Sequence, residues 1–177
     1  MKKLIILLVL TSMFACGSDD SILDDNDPNG SYITANVNGT NFTTVNIPDA
    51  TSAYLVITDF NFIIGLAGAE YNGTENPRSI GIVFSGLDFD SVVVGYELTA
   101  TNENEVVAGS YFSESTAGFE NGGESDGNAY VKITAIDKVN QTISGEFNFV
   151  AIDDDNDDIT YAVTNGIFNN IEYSIQN

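Results

Sequence analysis

The sequence predicts an all-β protein, and three observations carry that prediction. Apolar and polar residues alternate with a period of two over many short windows after residue 31, as half-buried strands require. Turn-forming residues recur between these windows, about every 8–15 positions. No window beyond the first fifteen residues keeps the 3.6-residue period of a helix. Together these features favour one antiparallel β-sandwich or barrel-like domain of roughly 8–11 short strands.

The alternation is clearest in the windows FNFIIGL and ISGEFNF. The apolar face carries Phe60, Phe62, Ile64 and Leu66 in the first window, and Ile143, Gly145, Phe147 and Phe149 in the second. Aromatic stripes of this kind form core far more often than ligand platforms. The other predicted strands cover residues 31–37, 42–47, 53–58, 79–85, 95–100, 106–112, 129–137, 159–165 and 166–174.

The connections between these windows support the same fold class. Asn38-Gly39 separates two predicted strands, and this dipeptide tolerates the positive φ angles of a type I′ hairpin turn. The segments DKVNQT and IDDDNDDI are loops between β-rich runs. One domain over residues 32–177 is long enough to bury a core without disulfides.

The N-terminus predicts export. Lys2 and Lys3 precede the apolar run Leu4–Leu10, which is far shorter than the ~20 residues that span a bilayer, so a cleaved signal peptide over residues 1–15 is expected. A lone cysteine, Cys16, follows the small Ala15 and has no disulfide partner. MFACGS resembles a bacterial lipoprotein signal, which implies that the Cys16 thiol receives a diacylglycerol. A free thiol behind a simple secretory signal is the alternative.

Residues 16–31 form the expected lipidated cysteine and a flexible acidic tether, because their polar composition cannot bury enough apolar area to order itself. Acyl chains anchor a protein stably without embedding it. CGSDD resembles the acidic signal of surface-exported lipoproteins of the Bacteroidota. Gly17, in place of an aspartate directly after the cysteine, fits outer-membrane and not inner-membrane placement under the sorting rule known from enteric bacteria. The predicted location is the outer membrane, at the cell surface or on the periplasmic side.

The charge balance excludes nucleic acid as a partner. After residue 15 the chain has 26 acidic residues against Arg78, Lys132 and Lys138, a net charge of −23. Phosphate neutralisation needs clustered basic residues, which three scattered ones do not supply. Solubility in a salty exterior explains this acidity best.

Histidine is absent from the sequence, so imidazole-based acid–base catalysis, nucleophile activation and metal binding are excluded. Paired carboxylates are the remaining catalytic chemistry, as in glycoside hydrolases, but the acidic segment 124–129 does not match the strand motif of β-sandwich glycanases. We therefore expect no enzymatic activity.

The acidic segment Asp153–Asp158, between two predicted strands, is a candidate site for Ca²⁺. A hairpin there brings five carboxylates close together, and such crowding is costly unless solvent or a cation relieves it. The predicted ligands are Asp153, Asp155 and Asp157, with a plain solvated loop as the alternative. No other cofactor is expected.

Candidate ligand contacts are aromatic. Tyr111 and Tyr130 lie in predicted strands, where a tyrosine can present an apolar ring and a polar tip to a sugar. Phe119 lies in the middle of the long loop 113–128, and binding residues concentrate on such loops. Core or edge positions for the tyrosines, and a plain surface loop around Phe119, are the alternatives.

Five blocks resemble an uncharacterised lipoprotein family of the Bacteroidota. They are ANVNGTNF (35–42), GYELT (95–99), VKITAID (131–137), ISGEFNFVA (143–151) and VTNGIFNNI (163–171). The resemblance implies an extracytoplasmic β-rich domain behind a lipid anchor, with no established activity and no site residues.

The sequence thus favours a non-enzymatic surface lipoprotein that binds a glycan or an envelope protein. A structural interaction protein without a small ligand is the second hypothesis, and a carboxylate-based glycoside hydrolase is the third. Fold class does not choose among them, because function belongs to sites.

Overall fold

The computed structural model describes residues 30–44, 50–70, 78–99, 105–115, 118–120, 128–153 and 158–176, and within these ranges the chain is almost entirely strand. A single 3₁₀ turn covers Phe89–Ser91, and no α-helix occurs in the described ranges. The predicted all-β class is confirmed. The strands are β1 Tyr32–Val37, β2 Thr40–Thr43, β3 Thr51–Ile57, β4 Phe62–Glu70, β5 Arg78–Gly86, β6 Glu97–Thr99, β7 Val106–Ser115, β8 Gly118–Glu120, β9 Ala129–Asp137, β10 Thr142–Ile152 and β11 Thr160–Gln176.

The strands form one open mixed sheet in the order β6-β9-β10-β11-β3-β4-β5-β7-β8, with the β1–β2 hairpin attached to β11. All pairs are antiparallel except β11 with β3, which run parallel. Strand β7 packs against β9 and β10, so the two halves of the sheet face each other as in a sandwich. We call these halves the β10 half (β1, β2, β6, β9, β10) and the β4 half (β3, β4, β5, β7, β8), with β11 between them.

Strand β11 is one continuous element where the sequence predicted two. Its first part pairs with β10 and β1, and Tyr173–Gln176 then pair with β3. The register against β10 shifts twice, because β11 has an extra residue at each shift. Asn165 and Asn170 lie there with φ angles of 51° and 48°, a left-handed conformation that asparagine tolerates better than most residues. The two bulges bend the strand without ending it.

The β1–β2 hairpin confirms the predicted turn. Asn38 and Gly39 have φ angles of 48° and 86°, and the positive values at both central residues are those of a type I′ turn. The Asn38 backbone N–H donates to the Ala162 carbonyl at 3.0 Å, and the Asn38 side-chain Oδ1 accepts from the Ala162 N–H at 2.8 Å. The turn is therefore fixed to β11 as well as being locally favourable.

The core lies between the two halves and is built from the alternating faces that the sequence indicated. Ile143, Phe147 and Phe149 of β10 are buried, as predicted, and so are Phe62, Ile64 and Leu66 of β4. Phe60 is an exception, because it lies in the β3–β4 turn with 82% of its surface exposed. Thr58 closes that turn by accepting hydrogen bonds from the Phe60 and Asn61 backbone N–H groups.

The predicted loop 113–128 is partly a hairpin. Strand β7 continues to Ser115, and β8 returns along it with Phe119 opposite Glu114. The segment carries few large apolar residues and many glycines, so it has no alternating pattern that predicts the pairing of β7 with β8.

Candidate binding face

The outward side chains that the structure describes on β3, β4, β5 and β7 carry no charge. Every second residue of β3, β4, β5 and β7 is buried in the core, so the residues between them point outward. The outward residues whose side chains are described are serine, glycine, tyrosine or apolar: Ser52, Tyr54, Val56, Ile63, Gly65, Ala67, Ala69, Ser79, Gly81, Val83, Ser85, Val106, Ala108, Ser110 and Phe112. We call this surface the uncharged face.

The registers arrange the uncharged face in rows across the four strands. The central row is Tyr54–Gly65–Val83–Ala108, because these residues are successive partners in the three strand pairs. A neighbouring row has Ala67, Gly81 and Ser110 as partners. Six of the eight outward residues of β4 and β5 are glycine, alanine or serine, and we call the strip that they form the trough.

Two glycines make this surface flat. A Cβ atom at Gly65 would overlap the Tyr54 ring, so the ring lies across Gly65 against the sheet. A Cβ atom at Gly81 would be 2.5 Å from the Ser110 Oγ, so this hydroxyl lies over Gly81. Glycine inside a strand weakens it and often marks a place where a ligand or another backbone approaches closely. Tyr54 keeps 38% of its surface exposed, so one side of its ring remains accessible.

The described charged side chains of the β4 half are Glu70 and Arg78, at the end of β4 and the start of β5. Arg78 forms an ion pair with Glu70, and its Nε donates to Glu70 Oε2 at 2.6 Å. The Thr43 N–H donates to Glu70 Oε1 at 3.1 Å, and the Arg78 guanidinium lies 5.7 Å from the centre of the Phe42 ring. The two side chains are 16% and 10% exposed, so this pair joins the β1–β2 hairpin to β4 and β5 as a nearly buried contact.

The outward side of the β10 half is charged instead. Glu97, Lys132 and Glu146 are successive partners on β6, β9 and β10, and their charges alternate across the sheet. The Glu97 carboxylate contacts Lys132 Nζ at 3.0 Å and accepts a hydrogen bond from the Tyr130 hydroxyl at 3.2 Å. We call this surface, with Asn148 beside it, the charged face.

These contacts shift the ionisation of the groups on the charged face. The Lys132 hydrogen bond and then the Tyr130 hydroxyl lower the pKa of Glu97 below its ordinary value. The same Glu97 hydrogen bond raises the pKa of Lys132, and partial burial with Glu97 raises that of Tyr130. All three groups hold their ordinary charge at neutral pH, which is the behaviour of a surface ion pair.

The predicted site residues are spread over the molecule. Tyr130 lies on the charged face, whereas Tyr111 is only 5% exposed and its ring centre is 4.9 Å from that of Tyr161 in the core. Phe119 is in β8, and nothing is described of its side chain. Cys16, Asp155 and Asp157 lie outside the described residues.

Asp153 lies at the end of β10 and is nearly buried. Its Oδ2 accepts a hydrogen bond from the Tyr161 hydroxyl at 3.1 Å, and its N–H donates to the Ile159 carbonyl. Among the residues that the structure describes, no group of three acidic or thiol side chains is placed to hold a metal ion. Calcium binding at Asp153, Asp155 and Asp157 therefore stays a prediction.

Sequence reasoning missed Tyr54 and the uncharged face, although a signal was present. Residues 51–57, 62–69, 79–86 and 106–113 contain no Asp, Glu, Lys or Arg, in a chain of which 18% is charged. Only the pairing of these four segments side by side turns the missing charges into one surface.

The fold and this surface define a class: an all-β domain with one uncharged outward face. The chain belongs to the DUF6252 family, a domain of unknown function whose family model matches residues 71–172. The expectation of an uncharacterised family is thereby confirmed. The match runs from the segment before β5 into β11, so half of the uncharged face, on β3 and β4, precedes it. No curated protein and no solved structure matches the chain.

Within the described ranges, no helix is long and apolar enough to cross a membrane.

Proposed function

We propose that this protein is a lipid-anchored binding module of the cell envelope, held in the outer membrane through Cys16 and without enzymatic activity. The uncharged face carries the binding role. Fifteen outward residues without charge, on a chain with a formal net charge of −21, form a surface that differs in chemistry from the rest of the protein. Contiguous apolar surface on a soluble domain marks interaction sites.

The sequence around Cys16 supports the anchor. A short apolar run, a small residue before the only cysteine and a polar acidic stretch after it are the features of a lipoprotein signal. Fourteen residues then separate Cys16 from Ser31. A tether of that length lets the uncharged face turn toward a partner at a distance from the bilayer.

The described charged groups support the absence of catalysis. Glu70 and Asp153 are the buried carboxylates of the described part, and each has a fixed partner, Arg78 and the Tyr161 hydroxyl. The three cationic residues that follow residue 15 all contact acidic side chains. Arg78 pairs with Glu70, Lys132 pairs with Glu97, and Lys138 Nζ lies 3.8 Å from the Asp90 carboxylate. The described chain therefore offers no unpaired cation for an anionic partner.

The anchor is tested by labelling producing cells with an alkyne analogue of palmitate. We expect label on the wild-type chain, which sediments with outer membranes, and none on Cys16→Ser. A labelled Cys16→Ser chain, or an unlabelled wild type, would refute the anchor.

The binding role is tested by photo-cross-linking in the same cells, with a photoreactive amino acid at Val83 or, as a control, at Asn148 on the charged face. We expect an adduct heavier than the chain from position 83 and much less from position 148. Equal yields, or no adduct at either position, would contradict a binding role and favour the structural interaction protein.

A further inference from the structure

We infer that the occupant of the uncharged face is an uncharged polysaccharide chain, lying in the trough along β4 and β5 with a sugar ring stacked on Tyr54. This inference rests on the proposed binding role and names the chemistry of the partner.

Charge selects a neutral partner. The chain repels polyanions through its net charge of −21, and the face itself has no charged side chain with which to attract a cationic partner. Cationic partners would instead be drawn to the acidic residues elsewhere on the surface. When a neutral polymer binds an uncharged surface, no charged group on either partner has to be desolvated or left unpaired.

Hydroxyl groups match the chemistry of sugars. The face carries five side-chain hydroxyls, those of Tyr54, Ser52, Ser79, Ser85 and Ser110. None of these hydroxyls has a hydrogen-bond partner within the described ranges. A hydroxyl both donates and accepts, so it can pair with a sugar hydroxyl in either sense. Charged side chains, which fix the direction of a hydrogen bond, are absent from the described face.

The Tyr54 ring provides the apolar contact. It lies flat across Gly65, so one ring side covers the sheet and the other faces outward at the border of the trough. Tyrosine combines a large apolar surface with a polar tip and loses little conformational entropy on binding. A pyranose ring, which is apolar on its C–H side and polar at its rim, has the complementary arrangement.

The dimensions argue against a protein partner. Four strands at about 4.8 Å spacing, with three outward positions on β3 and four on each of the others, give a face of about 15 by 20 Å, roughly 300 Å² in projection. A stable protein interface buries about 800 Å² on each partner. A second copy of this chain would also bring a second net charge of −21 close to the first. An extended peptide would add to a strand edge and not to a sheet face.

The test uses the mature chain that the proposed function implies, residues 16–177 with Cys16→Ser, which keeps every described residue. The protein runs in native gels that contain cellulose derivatives without charge, xylan, β-1,3-glucan, mannan or amylose, with alginate as the polyanionic control. We expect at least one neutral polysaccharide to retard the protein and alginate not to do so.

Variants locate the binding surface. Tyr54→Thr removes the ring and keeps a β-branched strand former, and we expect at least about tenfold weaker retardation, or ~1.4 kcal/mol. Tyr130→Thr makes the same change on the charged face and should bind as the wild type does. Ala67→Gln fills the trough at an exposed position and provides a second loss of binding if Tyr54→Thr fails to fold.

The inference would be overturned if no neutral polysaccharide retarded the protein, or if only alginate did. It would also be overturned if Tyr130→Thr lost binding while Tyr54→Thr kept it. A dimer in sedimentation equilibrium that Tyr54→Thr dissociates would overturn it as well. The cross-link at position 83 separates this failure from that of the proposed function. An adduct there with no polysaccharide binding would leave a binding module with a different partner.

Discussion

The two outward faces of this sheet are built from the same element type and differ in how they handle charge. On the charged face, Glu97, Lys132 and Glu146 stand in one row across β6, β9 and β10, in contact with water. On the β4 half, the described ion pair Glu70–Arg78 is turned inward and nearly buried. Solubility alone would place charge on both faces, and this difference is the observation on which the proposed binding role rests.

The largest expected effect is on the buried ion pair. Glu70→Gln leaves Arg78 without its counter-charge in a site that is 16% exposed, and we expect unfolding to become easier by about 3 kcal/mol. Lys132→Met breaks the exposed pair on the charged face and should change stability far less. Urea denaturation of both variants measures the difference.

The double variant Glu70→Gln/Arg78→Met is the control for the buried pair. It removes the uncompensated charge, so part of the lost stability should return. Equal losses in Glu70→Gln and Lys132→Met would show that the two pairs are not differently buried in solution.

The next largest effect is a difference in stability between alanine substitutions at a core-facing glycine, Gly109, and at an outward-facing glycine, Gly65. A Cβ atom at Gly109 of β7 would overlap the Phe149 ring in the core, so Gly109→Ala should cost about 1–3 kcal/mol. Gly65→Ala meets only the Tyr54 ring, which is exposed and can turn away, so its stability should stay near that of the wild type.

Thermal or urea unfolding reports the cost, and gel retardation reports the position of the ring. We expect Gly65→Ala to weaken polysaccharide binding without unfolding the protein, because it lifts Tyr54 off the sheet. If Gly65→Ala were as destabilising as Gly109→Ala, Tyr54 would have to be held in the core and not at the surface.

A smaller effect concerns the bulge of β11 at Asn165, where β11 pairs with β10. Asn165 has a φ angle of 51°, where an alanine is strained, so Asn165→Ala should cost about 1–2 kcal/mol. Asn165→Gly relieves the steric strain and should lose little. Unfolding curves of the two variants make the comparison, and a more stable alanine variant would mean that the bulge is absent in solution.

The smallest effect is a pH dependence on the charged face. The pKa of Glu97 lies below its ordinary value of 4.5 in the folded protein, mainly because of Lys132. Its contribution to stability is therefore present above the unfolded value and disappears as the pH falls through the lowered folded value. The difference in thermal midpoint between wild type and Glu97→Gln should shrink between about pH 5 and pH 3. A difference that grows on acidification would contradict this assignment.

Local chemistry explains what could be predicted from the sequence. The Asn38-Gly39 turn and the buried stripe of β10 follow from φ preferences and from a period of two, which neighbouring residues determine. Phe60 does not follow this rule because it lies inside the turn that Thr58 closes, before β4 begins, and its side chain is exposed. The β11 bulges keep one strand running where the change of pattern indicated two.

The candidate face depends on pairings that are distant in the chain. Each of its four segments lacks charge, but the segments meet only through distant pairings. Strand β5 pairs with β7, which is more than twenty residues later in the chain, and β3 near the start of the domain pairs with β11 at its end. Tyr54 was not among the predicted contacts because one exposed tyrosine in a strand has no meaning until Gly65 is known to lie beneath it.

The place of β11 in the strand order has a consequence for folding. Strand β11 pairs with β10 on one side and with β3 on the other, so it provides the hydrogen-bonded connection between the two halves. It is also the last of the described strands in the chain. Emerging segments can form hairpins such as β4–β5 early, but no strand pairing connects the two halves until β11 has emerged. The contacts that join them are highly non-local, which slows folding and keeps the chain open for longer.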